Sequence, residues 1–142
     1  MENIRIQRIT TAGERKQFIK FPWRIYRHDP LWVPQLIGDE MKILDPAKGT
    51  FYTLGEIALF MAWRGSEPVG RISAQINRQY EHYHDNHTGF FGFFECIEDQ
   101  QVADALVHAA ADWLRSKGKK RMMGPMSPSM YDISGTLIDG ND

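Results

Sequence analysis

The side chains able to do chemistry fall into a few groups. Arg71, Ser73, Gln75 and Asn77 alternate with Ile72, Ala74 and Ile76, so a strand here carries one polar face. That face either lines a cleft for a ligand or partner, with Arg71 pairing a carboxylate, or is the solvated side of an antiparallel sheet. His82, His84 and His87, with Asp85 between them, could offer imidazoles to a metal. Their spacing matches no closed zinc pattern and Cys96 is remote in sequence, so a polar hairpin loop accounts for them and no metal is expected. Ser127, Ser129, Ser134, Asp132 and His108 supply the residue types of a hydrolase triad. The Gly-x-Ser-x-Gly turn that strains a nucleophile into position is absent, which argues against hydrolysis.

The chain that must position these groups has 142 residues, enough for a single domain spanning 1–142. Its 8 Phe, 5 Tyr and 4 Trp supply a core and argue against disorder. Net charge is −1, and no Lys/Arg run suits a nucleic-acid groove or an anionic membrane surface. Lys117, Lys119, Lys120 and Arg121 follow a predicted helix, where cations complement the carbonyl end of its dipole. One cysteine, Cys96, excludes an intrachain disulfide. The residues Met1 to Arg5 lack a signal-peptide layout and no apolar stretch is long enough to span a bilayer, so the expected compartment is the cytoplasm.

Ile4, Ile6 and Ile9 suggest a first strand. Thr11 and Glu14 form a capping box for a helix carrying Phe18, Ile19, Trp23 and Tyr26, which Pro22 is expected to split in two. Leu36, Ile37, Met41 and Leu44 fit a short amphipathic helix; Trp32 and Val33 either cap the core or line a pocket. The apolar run Ile57 to Trp63, a turn near Gly65, and the alternating strand at 71–77 form a hairpin. Gly89 to Glu95 (GFFGFFE) reads as a further strand. Val102, Leu106, Val107, Ala110, Trp113 and Leu114 stripe a long helix, capped by Asp99 and ended by Gly118. A short strand, Arg121 to Gly124, follows. Strand, helix, hairpin, strand, long helix, strand is an α+β order.

That order is similar to the acyl-CoA N-acyltransferase (GNAT) fold. Four segments resemble a little-characterised bacterial family of acetyltransferase-like proteins: Phe21 to Tyr26 with Trp32-Val33-Pro34, Gly70-Arg71-Ile72, Gly89 to Glu95, and Gly124-Pro125-Met126. The resemblance implies a mainly antiparallel sheet flanked by helices. Members of that family look longer, so the chain resembles an N-terminal fragment lacking the final helix and strands. The tail departs from the family pattern at Tyr131, Ile133 and Asn141, where an Asn, an acidic residue and an aromatic are expected.

The resemblance further implies acetyl-CoA or another acyl-CoA as donor and a small-molecule amine as acceptor. Such enzymes hold the pyrophosphate on a Gly-rich turn at the start of the central helix. Here that junction reads Cys96-Ile97-Glu98-Asp99-Gln100-Gln101, with no glycine and two carboxylates. Glu95 stands near where such a fold places the base that deprotonates the amine, and also reads as a solvated carboxylate beside Glu98 and Asp99. Tyr131 is a candidate to protonate the leaving thiolate, and also reads as a packing residue. Two functions follow: acyl transfer, or a non-catalytic GNAT-like interaction module completed by a homodimer or by a missing C-terminal half.

Overall fold

The computed structural model describes residues 3–32, 37–127 and 133–134. Strand β1 (Ile4–Ile9) leads into helix α1 (Ala12–Tyr26), then α2 (Ile37–Leu44) and a 3₁₀ turn at Thr50–Thr53. A hairpin of β2 (Gly55–Arg64) and β3 (Glu67–Asn77) follows, then α3 (Arg78–Tyr83), β4 (Thr88–Cys96), α4 (Gln100–Ser116) and β5 (Arg121–Met123). Two short strands, β6 (Met126–Ser127) and β7 (Ile133–Ser134), pair with each other. The main sheet runs β1-β2-β3-β4-β5, antiparallel except where β5 lies parallel to β4. This is the α+β architecture the sequence predicts.

Both faces of the sheet are covered. Ala58, Phe60 and Ala62 of β2 and Ile72, Ala74 and Ile76 of β3 meet Val102, Leu106, Ala110 and Leu114 of α4. On the other side, Ile57, Leu59 and Met61 pack with Phe18, Ile19 and Phe21 of α1 and Leu44 of α2. A strand covered on both faces needs apolar residues at every position, which is why β2 reads as a continuous run. Close approach of α4 depends on Gly70, where a Cβ would come within 2.5 Å of Leu106 Cδ1.

Local rules explain the helix starts. Glu14 N–H donates to Thr11 Oγ1 at 3.1 Å and Thr11 N–H donates to Glu14 Oε1 at 3.0 Å, the reciprocal box expected for α1. Asp99 caps α4 by accepting from Gln101 N–H at 2.9 Å.

Three expectations are corrected. Pro22 does not split α1, which runs unbroken from Ala12 to Tyr26. Proline removes the N–H that would reach the carbonyl of Phe18, and Arg71 Nη1 donates to that carbonyl instead, at 2.9 Å. The 78–87 stretch is not simply a loop, because Asn77 accepts from Gln79 and Tyr80 N–H groups and starts the one-and-a-half-turn α3. Finally, the polar face of β3 is not solvated: α1 and α2 lie over it, and Arg71, Ser73 and Gln75 are all buried.

Candidate functional site

The site begins with an irregularity in β4. Arg71 pairs with Glu95 and Ser73 with Gly92, so β4 has one more residue than β3 between those pairs. The bulge contains Phe93, whose φ of 49° is in the left-handed region that a bulky side chain rarely adopts. It turns the Phe93 ring toward α1, edge-on to Phe18 with centroids 5.9 Å apart. It also keeps Glu95 directly across from Arg71.

Arg71 lies at the centre and is 5% exposed. Its guanidinium carbon stands 5.0 Å from the Phe18 ring centroid and 5.4 Å from that of Phe93. Its Nη1 donates to the Phe18 carbonyl, while its Nε has no hydrogen-bond acceptor among the described residues. Burial pulls its pKa down to about 10, while Glu40, Glu95 and Tyr26 act against that fall. Arg71 therefore remains a cation at neutral pH.

Two carboxylates share this one cation. Glu40 of α2 is 5% exposed, and burial raises its pKa above the ordinary carboxylate value, with Arg71 pulling the other way. Glu95, half-buried, accepts a 2.6 Å hydrogen bond from the Tyr26 hydroxyl. Burial, then the bond and charge of Glu95, push the Tyr26 phenol well above its usual range. Tyr26 is thus a fixed neutral donor. Trp32 packs against Tyr26 and Trp23, at 5.7 and 5.0 Å between centroids, and closes the cluster on the α1 side. Ser73 Oγ donates to Gln75 Oε1 at 2.9 Å deeper under α1.

The predicted residues therefore separate. Arg71, Gln75 and Glu95 lie on one covered face of the sheet, whereas Asn77 serves as the α3 cap. Tyr131 and Val33 lie outside the described residues, as do Ser129 and Asp132. His108 is exposed on α4. His82 packs on Tyr83 and His84 stacks on Tyr80, while Asp85 accepts from His87 N–H and pairs with Arg121. Among the described residues no group of three or more His, Cys, Asp or Glu could hold a metal. Lys117 pairs with Glu56 at 3.0 Å and Lys119 with Glu81, so that basic cluster is largely answered by neighbouring acids.

Tyr26 and Glu40 are the site residues missed in the sequence. Glu40 had left a signal: it falls three residues after Ile37 and four before Leu44, a carboxylate on an apolar stripe. Tyr26 lies 69 residues from Glu95, and nothing local could have paired them.

At the start of α4, Asp99 takes the Gln101 N–H and also binds Arg64 Nη2 at 2.7 Å. A carboxylate thus stands at the N-terminus of α4, the helix end whose N–H groups can otherwise receive an anion. Beside this turn is a recess of about 310 Å³ between Phe21, Arg24 and Ile25 of α1, Pro68, and the Cys96–Glu98 segment. Burial, Glu95 and Asp99 all push the Cys96 thiol up, so it is not a ready thiolate. Among the described residues no helix is long and apolar enough to cross a membrane.

The architecture is the GNAT acyltransferase fold. An aminoglycoside N-acetyltransferase solved with CoA superposes with a TM-score of 0.58 at 16% identity, covering 100% of this chain and 96% of that one. Glucosamine-6-phosphate N-acetyltransferase from Arabidopsis thaliana gives 0.56 at 12% identity, covering 99% and 98%. By sequence, the chain is 36% identical over 135 residues to the bacterial ceramide synthase of Caulobacter vibrioides, covering 94% of this chain and 35% of that protein. It is 34% identical over 138 residues to protein YghO of Escherichia coli, covering 96% and 35%. The chain thus spans about a third of the length of these curated relatives. No protein-family model matches it.

Proposed function

We propose that this chain carries the acceptor side of an N-acyltransferase site that moves an acyl group from acetyl-CoA or a longer acyl-CoA to an amine, in the cytoplasm. The observation that supports it best is the Tyr26–Glu95 hydrogen bond at the bulged end of β4, next to buried Arg71. In such a transfer the amine nitrogen bonds to the thioester carbonyl carbon, the carbon–sulfur bond breaks, and the amine gives up a proton. Glu95 is the group placed to take that proton, directly or through a water. Tyr26 fixes one carboxylate oxygen and leaves the other for the amine, with Arg71 directly across the strand pair. Tyr131 is proposed to return a proton to the departing thiolate.

One relative is named a ceramide synthase, and ceramide is an amide of a long-chain amino alcohol. A lipid amine is accordingly the acceptor class to test first. Incubating the purified chain with a long-chain acyl-CoA and sphinganine, and weighing the product by mass spectrometry, tests this. An acyl-sized mass gain that disappears in Glu95→Gln supports the reading; no product from any amine offered removes it.

The carboxylates at the start of α4 favour a second reading. In it the chain is a GNAT-fold interaction module with a degenerate acyl-CoA site, completed by a second copy or by further sequence. Isothermal titration with acetyl-CoA separates the two, since the module gives no heat. Light scattering then shows whether it self-associates.

A further inference from the structure

The charges on α1 are unevenly distributed. Lys16, Lys20, Arg24 and Arg27 are all exposed, and Trp23 stands among them, 39% exposed. At 100° per residue these five positions fall within an arc of about 100°, one stripe running about 16 Å along the helix. No acidic residue interrupts it. Glu14 is held in the capping box, and the acid that reaches the stripe, Glu67, pairs with Arg24 across 3.5 Å at an exposed position. Just past the helix Leu31 is 57% exposed, and Trp32 packs edge-on against Trp23. The stripe also borders a shallow recess of about 300 Å³ with Phe21, Met61 and Trp63 in its wall.

We infer that this stripe is a docking surface for an anionic lipid bilayer. Cations at helical spacing, with an indole and a leucine exposed beside them, match both parts of such a surface: phosphate charge outside and acyl chain just beneath. A nucleic acid would answer the cations but not Leu31. Charge complementarity is local, because the whole chain carries a net charge of −1. The spacing of three and four residues also explains why no basic run stands out in the sequence. This inference does not rest on acyl transfer, since vesicle binding is read without turnover.

Co-sedimentation of the full chain with vesicles tests it. One set is phosphatidylcholine alone; the other contains about a quarter phosphatidylglycerol. The chain is expected to sediment with the anionic vesicles, not with pure phosphatidylcholine, and to be released at about 0.5 M salt. Replacing Lys16, Lys20 and Arg27 together by Gln should weaken binding roughly a hundredfold, at about fivefold per cation. Removing the same charge elsewhere, with Lys42, Lys48 and Lys120 to Gln, should change it little. Trp23→Ser should weaken it several-fold, by an amount that salt does not alter. Three results overturn the inference: equal affinity for both vesicles or none for either, equal losses in the two triple variants, or a dimer in solution that the stripe variant dissolves. The last would make a second copy the occupant.

Discussion

Arg71 of β3 donates a 2.9 Å hydrogen bond to the backbone carbonyl of Phe18, the acceptor that Pro22 leaves open one turn later in α1. A proline inside a helix ordinarily costs about 3 kcal/mol or more, part of it through the lost bond. Here a buried cation takes the vacant place, so the sheet and helix are joined by a charge-assisted contact. The same guanidinium faces Glu40 and Glu95, which makes one side chain answerable to three elements.

A double-mutant cycle should reveal that link. Arg71→Leu leaves Glu40 and Glu95 without their cation and the Phe18 carbonyl bare, for an expected loss of about 3–5 kcal/mol. Pro22→Ala restores an N–H that can reach Phe18. In that background the Arg71→Leu loss should shrink by about 1 kcal/mol, measured by urea denaturation. Strict additivity would mean the two sites are uncoupled.

Glu40 sets a pH dependence. Its folded pKa is raised above the ordinary 4.5, so the folded state holds its proton more tightly than the unfolded chain does. Its contribution is fully present below 4.5 and is lost as pH rises through the folded value. Glu40→Gln should therefore match wild type in acid and gain on it as pH climbs from about 4.5 toward neutrality. Asp99, whose pKa is lowered by Arg64 and by backbone donors, runs oppositely. Asp99→Ala should destabilise at neutral pH and lose that effect as pH falls below the ordinary 3.8. Thermal melts across this range check both signs.

If the proposed transfer is right, Glu95→Gln should lower kcat by about 10²–10⁴-fold. Tyr26→Phe should cost less, about tenfold in kcat, because its hydroxyl holds the Glu95 carboxylate in place. A Tyr26→Phe enzyme with an unchanged kcat would leave Tyr26 a packing residue.

Gly70→Ala tests the closeness of α4. Leu106 is fully buried and has little room to retreat from a new methyl group, so a loss of about 1–3 kcal/mol is expected. A melt unchanged from wild type would show that α4 can shift outward freely.

Much of the fold was legible because it rests on periodicity and capping. The Val102 to Leu114 stripe, the Ile57 to Trp63 run and the Thr11–Glu14 box each carry their structure locally. The site was less so. Polar–apolar alternation in β3 says that one face differs from the other, but not that a second layer covers the polar one. Arg71, Ser73 and Gln75 thus looked like a wet face and are buried. Helix α3 was hidden because it is short, polar and started by a strand's last residue, Asn77. The continuity of α1 through Pro22 depends on Arg71, 53 residues from Phe18, beyond the reach of any window read along the chain.

The surplus residue in β4 acts as a phase shifter. Up to Gly92 the strand's odd and even positions point one way; from Phe94 onward the parity is reversed, so Glu95 shares a side with Arg71. Were the strand to run regularly through Phe93 without the bulge, that reversal would be lost and Glu95 would turn toward α4, with every side chain still present. The bulge is therefore as much a determinant of the site as the identity of any residue in it, and a relative one residue shorter here would keep the carboxylate across from the arginine only by pairing without one.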